Sequence, residues 1–117
     1  MLQEMPVMSS GGGVGFPDFR KGDNSDDTSW RSIATSAKPR YIQWLLTDSA
    51  NSGYFQLFCI DVGNNTANRS KWTAGGGFTD WESYNTILSS IRNVSATGFE
   101  YAGQLTRTSH NLFYVWY

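Results

Sequence analysis

Two long apolar runs dominate the middle of the chain. RYIQWLL at 40–46 has apolar side chains at both odd and even positions, and YFQLFCIDV at 54–62 follows it after the turn-rich segment TDSANSG. Successive side chains of a strand point to opposite faces of its sheet, so a run that is apolar at both sets of positions predicts a central strand. The sequence therefore predicts two neighbouring strands, with 40–46 inside the sheet.

The end of the chain shows the same two-sided pattern. FEYAGQL at 99–105 and LFYVWY at 112–117 are separated by RTSHN, which is typical of a hairpin loop. In the last run, rings and aliphatic side chains occupy both faces. Such a strand has to be covered on both sides, either by lying in the middle of a sandwich or by a neighbouring molecule that covers its second face.

Weaker patterns complete the prediction. WRSIATSA at 30–37 reads as an edge strand, and a short strand is expected around 71–74 within a long polar segment. The period then changes, because Thr79 and Glu82 form a capping box and Trp81, Tyr84, Ile87, Leu88 and Ile91 recur three or four residues apart. We predict a mainly β fold: an antiparallel β-sandwich or jelly-roll-like domain with one short helix at about 80–91 and an extended N-terminal arm.

The first 28 residues have no sustained period. They include the triplet Gly11–Gly13 and the polar run RKGDNSDD, which predicts an exposed loop or linker. The predicted division is an arm and linker at 1–28 and a β-sandwich domain at 29–117. Sparse apolar residues of the arm are expected to anchor it in grooves of another subunit: Leu2, Met5, Val7, Met8, Val14, Phe16 and Phe19.

Composition supports the β prediction and narrows the partners. Aromatic residues make up 15% of the chain, which suits half-buried strands, and twelve glycines suit the turns between them. Nine Lys and Arg against ten Asp and Glu give a net charge of −1, which argues against a nucleic-acid partner. The opening MLQEMPVM lacks the basic leader of a signal peptide and the length of a membrane span, so we expect neither secretion by that route nor membrane insertion.

Candidate catalytic residues do not form a constellation in the sequence. His110 is the only histidine and is interpreted as a solvent-facing loop residue, while Cys59 lies between Phe58 and Ile60 and is interpreted as a core residue. The carboxylates Asp61, Asp80, Glu82 and Glu100 show no spacing that singles out an acid and a nucleophile. We therefore expect no enzymatic activity and no cofactor.

Metal, nucleotide and modification motifs are incomplete. Asp23, Ser25 and Asp27 alternate as calcium ligands do, but the twelfth position is Ala34 and the sixth is not glycine. GGGVG lacks the Lys-Ser/Thr ending of a phosphate loop. The three sequons, at Asn64, Asn68 and Asn93, are interpreted as coincidental in an Asn- and Ser-rich chain.

Two tryptophans lie outside the predicted strands of the core. Trp72 belongs to the polar segment and Trp81 opens the predicted helix. Exposed rings with polar neighbours serve as stacking platforms for sugars, whereas the simpler interpretation is that both rings cover one end of the core. Both interpretations stay open at this stage.

In style, the chain resembles the small β-rich structural proteins of bacteriophage particles, found in tails, head fibres and capsid decorations. The residues that carry the resemblance are MPVMSSGGGVGFPDF, IRNVSATGFEYAGQL and LFYVWY. It implies a non-enzymatic virion subunit, made in the host cytoplasm, that contacts other copies of itself and other virion proteins. A trimer or larger ring is expected, and host-surface glycan is a further possible ligand; the alternative function is a lectin-like β-sandwich that binds carbohydrate.

Overall fold

Ten strands and one short helix make up the described part of the protein. The computed structural model describes residues 18–21, 30–48, 54–102 and 109–117. The strands are β1 (Asp18–Lys21), β2 (Trp30–Ala34), β3 (Tyr41–Asp48), β4 (Tyr54–Asp61), β5 (Thr66–Thr73), β6 (Gly77–Phe78), β7 (Glu82–Ser83), β8 (Ile91–Ser95), β9 (Gly98–Ala102) and β10 (Ser109–Trp116). A 3₁₀-helix spans Asn85–Ser90.

The strands form two antiparallel sheets. The large sheet has seven strands in the order β1-β10-β3-β4-β5-β6, with β7 also paired to β5. The small sheet has the order β2-β9-β8. The predicted mainly β, antiparallel sandwich is confirmed, and β3 is a central strand as expected, since it lies between β10 and β4.

The core lies between the two sheets and is built from rings. Trp44 is fully buried, and its ring centroid lies 5.1–5.7 Å from those of Phe58, Tyr101 and Phe113. Phe99 of the small sheet adds an edge contact to Phe113 at 5.4 Å. Tilted and edge-on ring pairs of this kind add to the free energy gained by removing the rings from water. The even-numbered side chains of β3 therefore form the inner face of the large sheet.

The short helix predicted at about 80–91 is present but much smaller, at Asn85–Ser90. Its capping box does not form, because the Thr79 hydroxyl accepts a bond from the Lys71 backbone N–H and Glu82 pairs with Arg69. Thr79 thus prolongs the pairing along β5, and Glu82 belongs to β7. Tertiary pairing with β5 has outweighed the local helical periodicity of this segment.

The segment 79–90 covers the part of the inner face that the small sheet leaves open. The Arg69 guanidinium lies 3.7 Å from the Tyr84 ring centroid and its Nη2 is 2.8 Å from Glu82 Oε2. Tyr84 stacks against Phe58, and Ile87 is fully buried. This cover explains why β5 can carry Arg69 on the face that β4 fills with apolar side chains.

Three strand boundaries differ from the prediction. β5 runs over Thr66–Thr73 and not merely around 71–74, and β8 occupies Ile91–Ser95, where no separate strand was predicted. β10 starts at Ser109, so His110 belongs to a strand and not to the predicted hairpin loop. Asn68 has low strand propensity, and ladder pairing with Cys59 of β4 overrides it. Asn93 lies in a bulge of β8 with a φ of 56°.

The predicted arm also contributes a strand. Asp18–Lys21, interpreted from the sequence as arm and loop, pairs with β10 at the edge of the large sheet. Phe19 is therefore in register with Leu112 of its own chain. The division into an arm and a domain stays a prediction, because the other arm anchors, Leu2 to Phe16, lie outside the described residues.

Candidate functional site

The candidate site is the face of the large sheet that points away from the small sheet, which we call the outer face. Its register rows join Thr47, Phe55, Trp72 and Phe78 in one row, Leu112, Leu45, Leu57 and Ser70 in the next, and Tyr114, Gln43, Cys59 and Asn68 in a third. None of these twelve side chains is charged. Across these rows, from β3 to β6 and at Leu112 and Tyr114, the outer face is uncharged and largely apolar. At its margins the register continues from Thr47 through His110 to Lys21 of β1, and it places Asp61 next to Tyr41.

Partial exposure distinguishes this face from the core. Leu45, Leu57 and Leu112 keep part of their surface exposed, whereas Trp44, Phe58 and Phe113, which are next to them in the chain and lie on the inner face, are buried. Packing within the face buries Cys59, which is 8% exposed. Contiguous apolar surface on a soluble domain marks an interaction site. Leu112 and Tyr114 of the last strand lie on the outer face. The interpretation that another molecule covers this face of the strand stays a prediction.

The first row of the outer face forms a line of three rings, which we call the ring row: Phe55, Trp72 and Phe78. Phe55 and Trp72 stack with centroids 4.6 Å apart and planes 8° apart, and Phe78 lies 6.4 Å from Phe55. Phe78 is 56% exposed. The row therefore presents aromatic surface to solvent near the β6 edge of the sheet.

A glycine turn builds the ring row. The hairpin between β5 and β6 passes through Gly75 at φ 86° and Gly77 at φ 67°, conformations that suit glycine, and it sets Phe78 opposite Trp72. The signal for this hairpin was present in the sequence as TAGGGF between the two rings. Sequence reasoning singled out Trp72 but missed Phe55 and Phe78.

The structure does not join the two predicted stacking tryptophans. Trp72 is a member of the ring row, whereas Trp81 is partly exposed in the stretch before β7 and has no ring contact with the row among the described contacts. The simpler interpretation was that both rings cover one end of the core. The register does not place Trp72 there, because Trp72 lies on the outer face with Phe55 and Leu57.

The other candidates from the sequence have structural roles or fall outside the description. Cys59 is buried, as expected of a core-type residue, and the side chain of His110 lies outside the described part. The amides of Asn64 and Asn93 bond the carboxylates of Asp61 and Glu100. The sequon asparagines thus include two that hold turns together. Asp23, Ser25 and Asp27 lie outside the described residues.

Glu100 is the one described group with a resolved shift in its pKa. The side-chain bond from Arg92 Nε to Oε1, 2.9 Å, lowers the pKa of the Glu100 carboxyl most, and the bond from Asn93 Nδ2 to the same oxygen lowers it further. Charged donors stabilise the ionised carboxylate. Glu100 therefore stays ionised at a lower pH than an isolated glutamate.

Two findings concern metals and membranes. Within 18–21, 30–48, 54–102 and 109–117, no three His, Cys, Asp or Glu side chains are grouped so that they could hold a metal ion. Nor does the described part contain a helix with the length and hydropathy to span a bilayer.

Comparisons of the chain with protein-family models, curated proteins and solved structures give no match.

Proposed function

We propose that the protein is a non-enzymatic structural subunit of a bacteriophage particle, of the tail, head-fibre or decoration type. In this proposal the N-terminal arm of one copy docks onto a neighbouring copy and the β domain is presented outward. The observation that carries it is the largely apolar centre of the outer face of the large sheet, where Leu45, Leu57 and Leu112 share one register row. A face of this kind gains free energy when another apolar surface covers it.

Residues 1–17 are long enough to reach across the outer face of a neighbouring copy. Seventeen residues precede β1, and an extended chain of this length spans about 55 Å. The six strands along the path of the large sheet are about 24 Å apart from first to last. An arm that leaves from the β1 edge can therefore cross the outer face of another subunit, where its anchors Leu2, Met5, Val7, Met8, Val14 and Phe16 meet uncharged surface.

Symmetry strengthens such contacts. Each copy supplies one arm and one outer face, so copies arranged in a trimer or a larger ring satisfy every arm at once. Linked weak contacts then act together, since each docked arm raises the local concentration of the next. The subunit can fold first and dock afterwards.

Deletion of residues 1–17 tests the proposal while keeping β1 in the sheet. We expect the full chain to be oligomeric by size-exclusion chromatography with light scattering, and the truncated chain to be monomeric with an unchanged circular dichroism spectrum. Leu45→Lys is expected to have the same effect, because it places a charge at the centre of the outer face. Thr86→Lys, on the exposed side of the 3₁₀-helix, is the matched control and should remain oligomeric.

Two results would contradict the proposal. A full-length chain that stays monomeric at high concentration would mean that no neighbour occupies the outer face. A truncated chain that remains oligomeric would show that copies meet without the arm.

The ring row supports a second candidate function, a carbohydrate-binding β-sandwich. Exposed aromatic faces stack against the C–H surface of sugar rings, and Phe78 is 56% exposed beside the stacked Phe55–Trp72 pair. A glycan array read with the Phe78→Ser variant tests this function, since the side chain is exposed and its loss should leave the fold intact. Binding that is lost in Phe78→Ser and kept in Trp81→Ala would support it.

A further inference from the structure

The outward face of the small sheet carries a polar cleft that the assembly function does not use. Its volume is about 410 Å³, within the range of roughly 300–1,000 Å³ that holds small ligands. Strands β2, β9 and β8 and the turn before β9 supply its lining, which includes Ser32, Ala34, Asn93, Thr97, Gly98 and Glu100. The cleft is thus on a different sheet from the ring row.

Small side chains create the hollow. Ser32 and Ala34 are exposed on β2. On β9, Gly98 lies between Ala34 and Ser95, and Glu100 lies between Ser32 and Arg92. A Cβ on Gly98 would collide with the carbonyl oxygen of Ile33, and the φ of Gly98 is +144°, which side-chain-bearing residues rarely adopt. The close approach of β9 to β2 therefore requires glycine, and the same glycine leaves the floor of the cleft open.

One wall is a fixed polar group. A bulge between Arg92 and Ser95 and a φ of 56° at Asn93 turn the Asn93 amide toward Glu100, whose Oε1 accepts its Nδ2–H at 2.6 Å. Arg92 Nε donates to the same oxygen, and its guanidinium lies 4.0 Å from the Trp30 ring centroid. These contacts hold the Glu100 carboxylate in place before any ligand arrives.

The other end of the cleft, at the turn between β8 and β9, supplies hydroxyl groups. The hydroxyl oxygens of Ser95 and Thr97 are 3.1 Å apart, and the Thr97 backbone N–H donates to Ser95 Oγ at 3.2 Å. Hydroxyls can both donate and accept, whereas the carboxylate only accepts. Acceptors at one end and mixed groups at the other form a pattern that a ligand with several adjacent hydroxyls can satisfy.

The charge of the cleft selects among polar ligands. Arg92 and Glu100 compensate each other, so the cleft offers no uncompensated cation for a phosphate or a carboxylate. The lining of the cleft contains a single carboxylate, that of Glu100, and one carboxylate supplies too few ligands to bind a divalent cation. We propose that the cleft binds a neutral saccharide, with Glu100 and Asn93 accepting bonds from neighbouring hydroxyls and Ser95 and Thr97 at the other end of the sugar.

Amide shifts of the full-length ¹⁵N-labelled protein locate the site directly. The probes are neutral mono- and oligosaccharides of glucose, galactose, mannose and N-acetylglucosamine, titrated separately. At least one probe should bind in a saturable way and shift the amides of Asn93, Thr97 and Gly98, while those of Trp72 and Phe78 stay in place. Shifts confined to the ring row would overturn this inference and support the second candidate function.

Two variants and two controls then measure the effect on affinity. Asn93→Gly removes the amide but keeps a residue that tolerates the positive φ, and Ala34→Trp fills the floor from an exposed strand position. Each should weaken binding at least tenfold, whereas Thr66→Trp, also at an exposed strand position, and Phe78→Ser should leave it unchanged. The inference fails if both cleft variants bind as tightly as the parent chain, or if none of the probes binds. Neither failure affects the arm-deletion result that tests assembly.

Discussion

The two faces of the large sheet are built from alternate residues of the same strands, yet they differ in how they are covered. On the inner face Trp44 and Phe113 contact the Tyr101 ring of the small sheet, Phe58 stacks against Tyr84, and all three are at most 1% exposed. On the outer face their chain neighbours Leu45 and Leu57 remain partly exposed. Apolar character alone therefore does not bury a residue, because burial also needs a second layer that supplies contacting atoms.

The largest expected effect is the loss of stability when a ring of the inner face is truncated. Phe58→Ala should lower the free energy of unfolding by about 3–5 kcal/mol, since it removes a fully packed ring and leaves a cavity. Leu57→Ala, the matched change on the outer face, should cost about 1 kcal/mol, because part of its surface stays in solvent in the folded protein. Urea denaturation measures both values. Equal losses for the two variants would mean that the outer face is covered within the monomer.

The next effect concerns the layer that covers the inner face. Gly98→Ala should lower the free energy of unfolding by about 3 kcal/mol, because the new Cβ meets the Ile33 carbonyl and the φ of +144° is strained, so β9 and β2 are forced apart. Gly63→Ala is the control, since its Cβ would lie 3.8 Å from its nearest contact, Asp61 Oδ1. It should change stability by less than about 0.5 kcal/mol. A stable Gly98→Ala protein by thermal melting would contradict the close approach of these strands.

A smaller effect tests the polar bond inside the core. Trp44 Nε1 donates to Asn111 Oδ1 at 2.7 Å, and both residues are fully buried. Asn111→Ala should cost about 2 kcal/mol, because it leaves the indole N–H without an acceptor.

A double-mutant cycle with Trp44→Phe should then give a coupling energy of about 1 kcal/mol, since the phenyl ring needs no acceptor. Gln43→Ala, the polar truncation on the outer face, should change stability by less than about 0.5 kcal/mol. Additive effects of Asn111→Ala and Trp44→Phe would show that the bond does not contribute to stability.

The smallest effect is on the outward face of the small sheet, where contacts are open to solvent. The pKa of the Glu100 carboxyl should lie below its usual 4.5, because Arg92 and Asn93 favour the ionised form. Its contribution to stability is then present above pH 4.5 and lost as the pH falls through the folded-state pKa.

Side-chain carboxyl NMR titration measures this shift. Arg92→Gln should move the pKa of Glu100 back toward 4.5, and Arg69→Gln, which breaks the ion pair on the other sheet, should leave it in place. A pKa of Glu100 that does not respond to Arg92→Gln would mean that the bond is absent in solution.

Much of the fold and part of the site could be predicted. The apolar runs around Trp44, Phe58 and Phe113 identified the central strands, since a short run that is apolar at both odd and even positions is visible in the local sequence. The helix was overestimated because the apolar spacing from Trp81 to Ile91 also fits a segment that pairs with β5 and then enters β8. Trp72 was singled out as a stacking ring, but its partners Phe55 and Phe78 were not. Whether they lie beside Trp72 depends on the strand register, because a one-residue slip would move their side chains to the other face of the sheet.

The class of fold and the identity of the apolar residues can be inferred from the chain alone, because apolar runs, turn residues and ring content are local properties of a sequence. Tertiary structure alone decided which face of each strand became the core, since the small sheet can cover just one side of the large one. It also decided that Asn93, Ser95 and Gly98 border a single cleft with Ser32 of a strand distant in sequence. Contacts between segments far apart in the chain have no local signature, so their consequences emerge once the sheets have packed.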